Sequence, residues 1–340
     1  AMGNDVSGND NDWTVDNIGT DDQVIDTPTK NYATFASNSG RLFSGGGDSM
    51  TWTEGNLHVA GVTTQNCSDV NFAPLNTGKW YFTWDHDTWY NANNDMGIVN
   101  EDNRSGQNGT PTSNYSDIAG AVMVGLELST KYNIQSQDFT NIDATIPVTA
   151  TTSDQTVMAV DLDNLKLWAG FWDESEDDLY WMTNGGGWST ANVDVPGTGS
   201  DETCAITGSG FTFWSWCYST RGGGTDFGAV NGGLLSNITQ PSGFNELNTA
   251  NISEPTVQNS KKYFDTILYE GTGSGQKVGQ FQPITETYSV GNSALFVDAD
   301  DCYLSRTPGS AGDRRNVTIS FWFKRVGDGQ EIIWSSTGGS

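Results

Sequence analysis

The residues best suited to chemistry in this chain are aromatic rings set beside carboxylates. Trp172-Asp173 and Tyr180-Trp181 flank the run Glu174-Ser175-Glu176-Asp177-Asp178, Trp188 follows shortly after, and Trp89-Tyr90 stand in another polar stretch. A ring face stacks on the C–H face of a sugar, while nearby Asp and Asn oxygens accept its hydroxyls. Trp172, Asp173, Tyr180, Trp181, Trp188, Trp89 and Tyr90 are therefore the candidate ligand-binding residues. The same rings would also serve to fill a core beneath long loops.

Catalytic groupings are poorly supported. The two histidines, His58 and His86, have no nucleophile-elbow motif near them, and His86 lies in Trp84-Asp85-His86-Asp87, a solvated loop by composition. Glycoside hydrolysis needs only two carboxylates at a set separation. With 42 acidic residues present, however, any cleft would hold two by chance. Gly185-Gly186-Gly187 and Gly222-Gly223-Gly224 precede no helix and are hairpin or loop glycines, not a phosphate cradle. The reading is that the chain is not an enzyme.

Asp5, Asn9 and Asn11 alternate along an Asp/Asn-rich opening stretch in the manner of a calcium loop, although the distal Glu of an EF-hand is missing. Calcium is the one cofactor left open. Cys67, Cys204, Cys217 and Cys302 show no CxxC spacing, which argues against zinc. Cys204 and Cys217 flank strand-like runs and could form a disulfide across a hairpin. The alternative is that they pack as small apolar residues.

The elements that would position these residues are strands. Only 35% of the 340 residues are apolar, but there are 13 Trp and 41 Gly, as expected of short strands anchored by rings and joined by polar loops. No run has clean helical spacing. Strand-like runs recur at Gly55–Val62, Gly78–Asp85, Asp95–Val99, Ala119–Leu128, Thr156–Leu162, Lys166–Ala169 and Phe211–Tyr218. The fold class is all-β, an antiparallel β-sandwich. Alternation puts Trp80, Phe82 and Trp84 on one face, and Val157, Ala159 and Leu162 on the inner face of another strand. Asp163-Asn164 reads as a hairpin turn, with Asp161 and Asp163 shaping it and not catalysing. The net charge of −27 repels phosphate backbones and anionic membranes, and no apolar run is long enough to span a bilayer. No nucleic-acid partner and no membrane insertion are expected.

Four ordered stretches carry a family resemblance. Gly78-Lys79-Trp80-Tyr81-Phe82-Thr83-Trp84, Met96-Gly97-Ile98-Val99, Ala159-Val160-Asp161-Leu162-Asp163-Asn164 with Leu165-Lys166-Leu167-Trp168, and Asn184-Gly185-Gly186-Gly187-Trp188 resemble successive strands and turns of SPRY domains. Thr225-Asp226-Phe227-Gly228 is a weaker match to the closing strand. This resemblance implies a SPRY-type, concanavalin-like jelly roll over residues 31–245. The acidic run after Phe171 and the stretch Glu127–Pro147 depart from the pattern as insertions.

In the flanks, Asn248-Thr249-Ala250-Asn251-Ile252-Ser253-Glu254-Pro255 followed by Lys262-Tyr263-Phe264-Asp265-Thr266-Ile267-Leu268-Tyr269-Glu270-Gly271 resembles a stretch of bacteriophage tail-fibre-like proteins. Residues 246–285 are similar to a connector that follows SPRY domains there, with Asp265–Tyr269 as one strand and Glu254-Pro255 breaking any helix. Residues 1–30 resemble the end of a LamG-like sandwich or a linker. Residues 286–340, through Tyr303-Leu304-Ser305-Arg306-Thr307-Pro308 and Val317–Arg325, resemble the start of another, incomplete one. Ala1-Met2-Gly3 reads as a cloning remnant and Ser340 ends in mid-pattern, so a piece of something longer is expected. The resemblance implies a virion structural and adhesive protein, a tail-fibre or spike module that recognises a host-surface glycan or receptor. It further implies other virion subunits as partners, a homotrimer and a virion location. A capsid or tail decoration without receptor binding, and a glycan-active depolymerase, are the alternatives.

Overall fold

The computed structural model describes residues 3–5, 8, 10–19, 22–27, 30–35, 50–53, 56–61, 66–70, 72, 74–85, 94–100, 120–128, 131–136, 142–151, 153–189, 202–217, 225–227, 238, 241–252, 293–296, 301–307, 321–324 and 335. Apart from short 3-10 turns, including one at Thr249–Asn251 capped by the Asn248 side chain, the regular structure among them is strand.

In chain order the strands are β1 (Thr14–Asp16), β2 (Gln23–Val24), β3 (Met50–Thr53), β4 (His58–Gly61), β5 (Asn66–Asp69), β6 (Lys79–Asp85) and β7 (Asn94–Asn100). There follow β8 (Ala121–Leu128), β9 (Lys131–Gln135), β10 (Ile142–Thr145), β11 (Gln155–Asp161), β12 (Lys166–Asp173) and β13 (Asp178–Trp181). The last are β14 (Cys204–Ala205), β15 (Phe211–Cys217), β16 (Thr225–Phe227), β17 (Asn245–Glu246), β18 (Ser293–Ala294) and β19 (Tyr303–Ser305). The seven runs anticipated from sequence all contain strands, because β-branched and aromatic residues there are bounded by Gly, Asn and Asp turns.

Two six-stranded sheets form the sandwich. One has the order β10-β9-β8-β7-β15-β5, and the other runs β13-β12-β11-β6-β17, with β14 alongside β12. Pairing is antiparallel throughout, except that β17 runs parallel to β6. The sheets meet over a core in which Phe82 of β6 and Phe213 of β15 stack edge to face, centroids 4.8 Å apart. Trp80 and Phe82 face this core as their alternation requires.

The expected inner face of β11 is corrected in part. Leu162 does face the main core, together with Met158 and Val160, but Val157 and Ala159 point to the opposite side. There they join Tyr81, Trp168, Trp172, Trp181, Ile238 and Phe244 in a second cluster, with Phe244 edge-on to Trp168 at 5.9 Å. Every residue of β11 is buried, so this sheet is covered on both faces.

The disulfide expected between Cys204 and Cys217 does not form. Cys204 is a buried free thiol beside Leu167 in one sheet, while Cys217 ends β15 in the other. The two strands share no hairpin.

Residues 1–30, expected as the end of a LamG-like sandwich or a linker, contribute two strands that pair with the C-terminal segment: β1 with β19 and β2 with β18. Asn245 to Asn248 continue the sandwich. Leu247 and Asn248 are fully buried, and the Leu247 carbonyl accepts the Ala33 amide. The expected strand at Asp265–Tyr269 and the Glu254-Pro255 break lie outside the described residues.

Candidate functional site

Two hairpins of one sheet share a turn device. In the first, Asp161 Oδ1 accepts the amides of Asp163 and Asn164, Asp161 Oδ2 accepts the Asn164 side chain, and Leu165 closes the turn at φ 54°. In the second, Asp173 Oδ1 accepts the amide and hydroxyl of Ser175, and Asp177 closes the turn at φ 55°. Each Asp thereby satisfies backbone donors that the turn leaves free. Asp161 has the turn-shaping role read from sequence. Asp173, a candidate ligand contact, is buried at 5% and fills the same role.

Placement divides the candidate rings. Trp172 and Trp181 lie in paired strands at 5% and 1% exposure, so the exposed cluster expected of them is corrected: a second apolar layer covers their faces. The Trp181 ring sits over Gly170, where an added Cβ would come within 2.7 Å of it. Trp172 Nε1 donates to Asp177 at 3.2 Å, tying the ring to the acidic turn. Trp89 and Tyr90 lie outside the described residues.

Tyr180 and Trp188 remain partly exposed, and the structure brings them to one margin of the sandwich. β13 and β10 are the edge strands of the two sheets, and the turn Asn184–Gly187 bridges them. Trp188 Nε1 donates to the Thr145 carbonyl of β10 at 2.8 Å, and its ring meets Tyr132 edge-on at 5.3 Å. Tyr132 in turn donates to the Gly170 carbonyl at 2.8 Å. Gly186 passes so close to β10, at φ 78°, that a Cβ would lie 2.7 Å from the Asp143 carbonyl oxygen. Thr183 and Gly187 close the turn through Gly187's carbonyl, which accepts the Thr183 amide at 2.7 Å.

The margin is negative. Asp178 lies 3.4 Å from the Tyr180 hydroxyl, and Glu174, Glu176 and Asp177 are exposed on the adjoining turn. Burial, followed by the charges of Asp178, Asp173 and Glu176, pushes the Tyr180 hydroxyl up, so it stays a neutral donor. Chemically, the margin offers two partly exposed rings, one of them anchored by hydrogen bond and ring contact, and acceptor oxygens beside them. Sequence pattern marked the rings but missed Asp143, Thr145 and Tyr132. Their role depends on a contact between the two sheets, and no local motif encodes that contact.

At the opening segment the calcium reading meets other partners. Asp5 Oδ2 accepts the Asn11 amide at 2.9 Å, and Asn11 Oδ1 accepts the Arg306 guanidinium. Asn9 lies outside the described residues. Among the described residues no group of three or more His, Cys, Asp or Glu is arranged to hold a metal ion.

No family model matches the chain, and no curated protein matches it. Among solved structures the chain is similar to the SPRY domain of human HERC1, with 9% identity, 54% of this chain and 92% of that one covered, and a TM-score of 0.34. The β-sandwich is established by the chain's own strand pairing and core.

Proposed function

We propose that this chain is a recognition module of a tail-fibre-like virion protein, non-enzymatic, acting at the surface of the virion. It assembles with other virion subunits as a homotrimer, and its sandwich margin binds a host-surface glycan or protein. The phage-like connector and the two partial LamG-like ends in the sequence support the virion setting. The observation that carries the recognition reading is the pair Tyr180 and Trp188, both partly exposed and packed against the main core, with Trp188 fixed by its hydrogen bond to Thr145 and its ring contact with Tyr132. Rings held rigid in advance lose little entropy on binding, and the surrounding oxygens can accept sugar hydroxyls.

Binding of the full chain to host cells and to a glycan panel tests this. Tyr180→Ala and Asp178→Asn should each weaken binding by roughly tenfold. Near-ultraviolet circular dichroism should show an intact fold. Binding unchanged in both variants would remove the margin as the recognition site.

A further inference from the structure

The turn that bridges the two sheets carries an asparagine followed by a glycine, Asn184-Gly185, and both residues are exposed. The turn is closed around them by the Gly186 amide, which donates to the Thr183 carbonyl at 3.1 Å, and by the Thr183 amide on the Gly187 carbonyl. The Asn184 carboxamide and the Gly185 amide themselves have no hydrogen-bond partner among the described residues. A Cβ added at Gly185 would meet nothing within 4 Å, so the space around it is open. Glycine also sets no side chain beside its own nitrogen. That nitrogen and Asn184 Cγ are held in reach of one another by the covalent chain, one bond short of a five-membered ring.

The same sheet holds a contrasting case. Asn164, in the β11–β12 turn, is exposed too, but its Nδ2 donates to Asp161 Oδ2 at 2.9 Å, and the next residue is Leu165. There the carboxamide is tied and a branched side chain shields the following nitrogen. Two further Asn-Gly pairs, Asn108-Gly109 and Asn231-Gly232, lie outside the described residues.

We propose that Asn184-Gly185 is a self-modifying site, at which asparagine loses ammonia and becomes aspartate or isoaspartate. Once hydroxide has removed its proton, the Gly185 nitrogen bonds to Asn184 Cγ, and Nδ2 departs as ammonia, taking up a proton from water. Water then opens the five-membered imide at either carbonyl. One water is consumed and one ammonia released, and nothing is oxidised or reduced. Aspartate adds a carboxylate to a chain already at −27. Isoaspartate also lengthens the main chain by a methylene just before Gly186, whose backbone already lies too near the Asp143 carbonyl to admit a Cβ. That product loosens the turn from β10. The chemistry needs no ligand, so it can fail or hold independently of recognition at the margin.

Incubation of the full chain, folded and in urea, tests the proposal, read by peptide mass spectrometry that resolves Asn, Asp and isoaspartate. In the folded chain, conversion of Asn184 should rise with time and with pH, at a rate within roughly tenfold of that in urea. Asn164 should stay intact under the same conditions. Asn184→Gln, whose closure would need a six-membered ring, should abolish conversion in this peptide with near-ultraviolet circular dichroism unchanged. Hydrogen exchange along β10 should quicken as isoaspartate accumulates. A folded-chain rate below that range, or Asn164 converting as fast as Asn184, would overturn the proposal, and unchanged exchange would overturn its coupling to β10.

Discussion

Lys79 and Asp161 face each other across β6 and β11, and Lys79 Nζ reaches Asp161 Oδ2 at 3.1 Å. The same carboxylate shapes the β11–β12 turn, so one side chain fixes both a strand pair and a hairpin. Asp161→Ala should cost about 2–4 kcal/mol, since it strips hydrogen bonds from backbone donors and leaves a half-buried lysine unpaired. Asp161→Asn keeps an acceptor for the turn and should cost about half as much. Urea unfolding of the two variants should rank them in that order.

The pH dependence of that pair follows from its titration. Burial opposes the charge of Asp161, but hydrogen bonds from Asn164 and Lys79 outweigh it and hold its pKa below the ordinary 3.8. A carboxylate lowered in the folded state contributes stability that is complete above its unfolded pKa and is lost as pH falls through the folded value. The difference in unfolding free energy between wild type and Asp161→Asn should therefore be constant near neutral pH. It should shrink only below about pH 4. A difference that persists undiminished to pH about 2 would contradict the assignment.

Gly186→Ala tests the contact between the bridging turn and β10. The new Cβ would meet the Asp143 carbonyl in a left-handed backbone conformation, and neither that backbone oxygen nor φ can adjust cheaply. A loss of about 1–3 kcal/mol is expected, with faster hydrogen exchange along β10. Gly187→Ala, outside the left-handed region and beside only the Thr183 hydroxyl at 3.0 Å, should cost less.

Cys204 should behave as an inert buried thiol. Burial, and then the charge of Glu202, push its pKa up to about 12, so almost no thiolate exists at neutral pH. Peptide-level mass spectrometry after alkylation should find Cys204 unmodified in the folded chain and modified in urea. A Cys204–Cys217 cross-linked peptide in a non-reduced digest would refute the free thiol.

Much of the sandwich was legible because its signals are local. The alternation around Trp80 and Phe82 marks a strand face, and Asp161 through Leu165 encodes a turn within five residues. Trp172 and Trp181 were misplaced because a strand covered on both faces carries the same alternating rings as one facing water. Among the described residues, Phe244 and Ile238 arrive from far along the chain and pack into the second layer. Cys204 and Cys217 are near in sequence but belong to opposite sheets, so proximity along the chain misled. The pairing of Val15 with Leu304 has no local signature, since only the assembled fold brings the termini together. At the candidate site the rings were readable from composition. Their anchors, Thr145 and Tyr132, were not, because they come from the other sheet.

The parallel pairing of β17 with β6 has a consequence for synthesis. Glu246 lies opposite Tyr81, so the strand that covers this edge of β6 is made about 165 residues later. At roughly 5–20 residues per second, a ribosome takes on the order of ten to thirty seconds to supply it. Throughout that interval the backbone groups of Trp80 and Tyr81 that β17 will pair stay open to any neighbouring polypeptide. Vectorial production of this protein thus has a vulnerable window that closes only when Leu247 and Asn248 emerge.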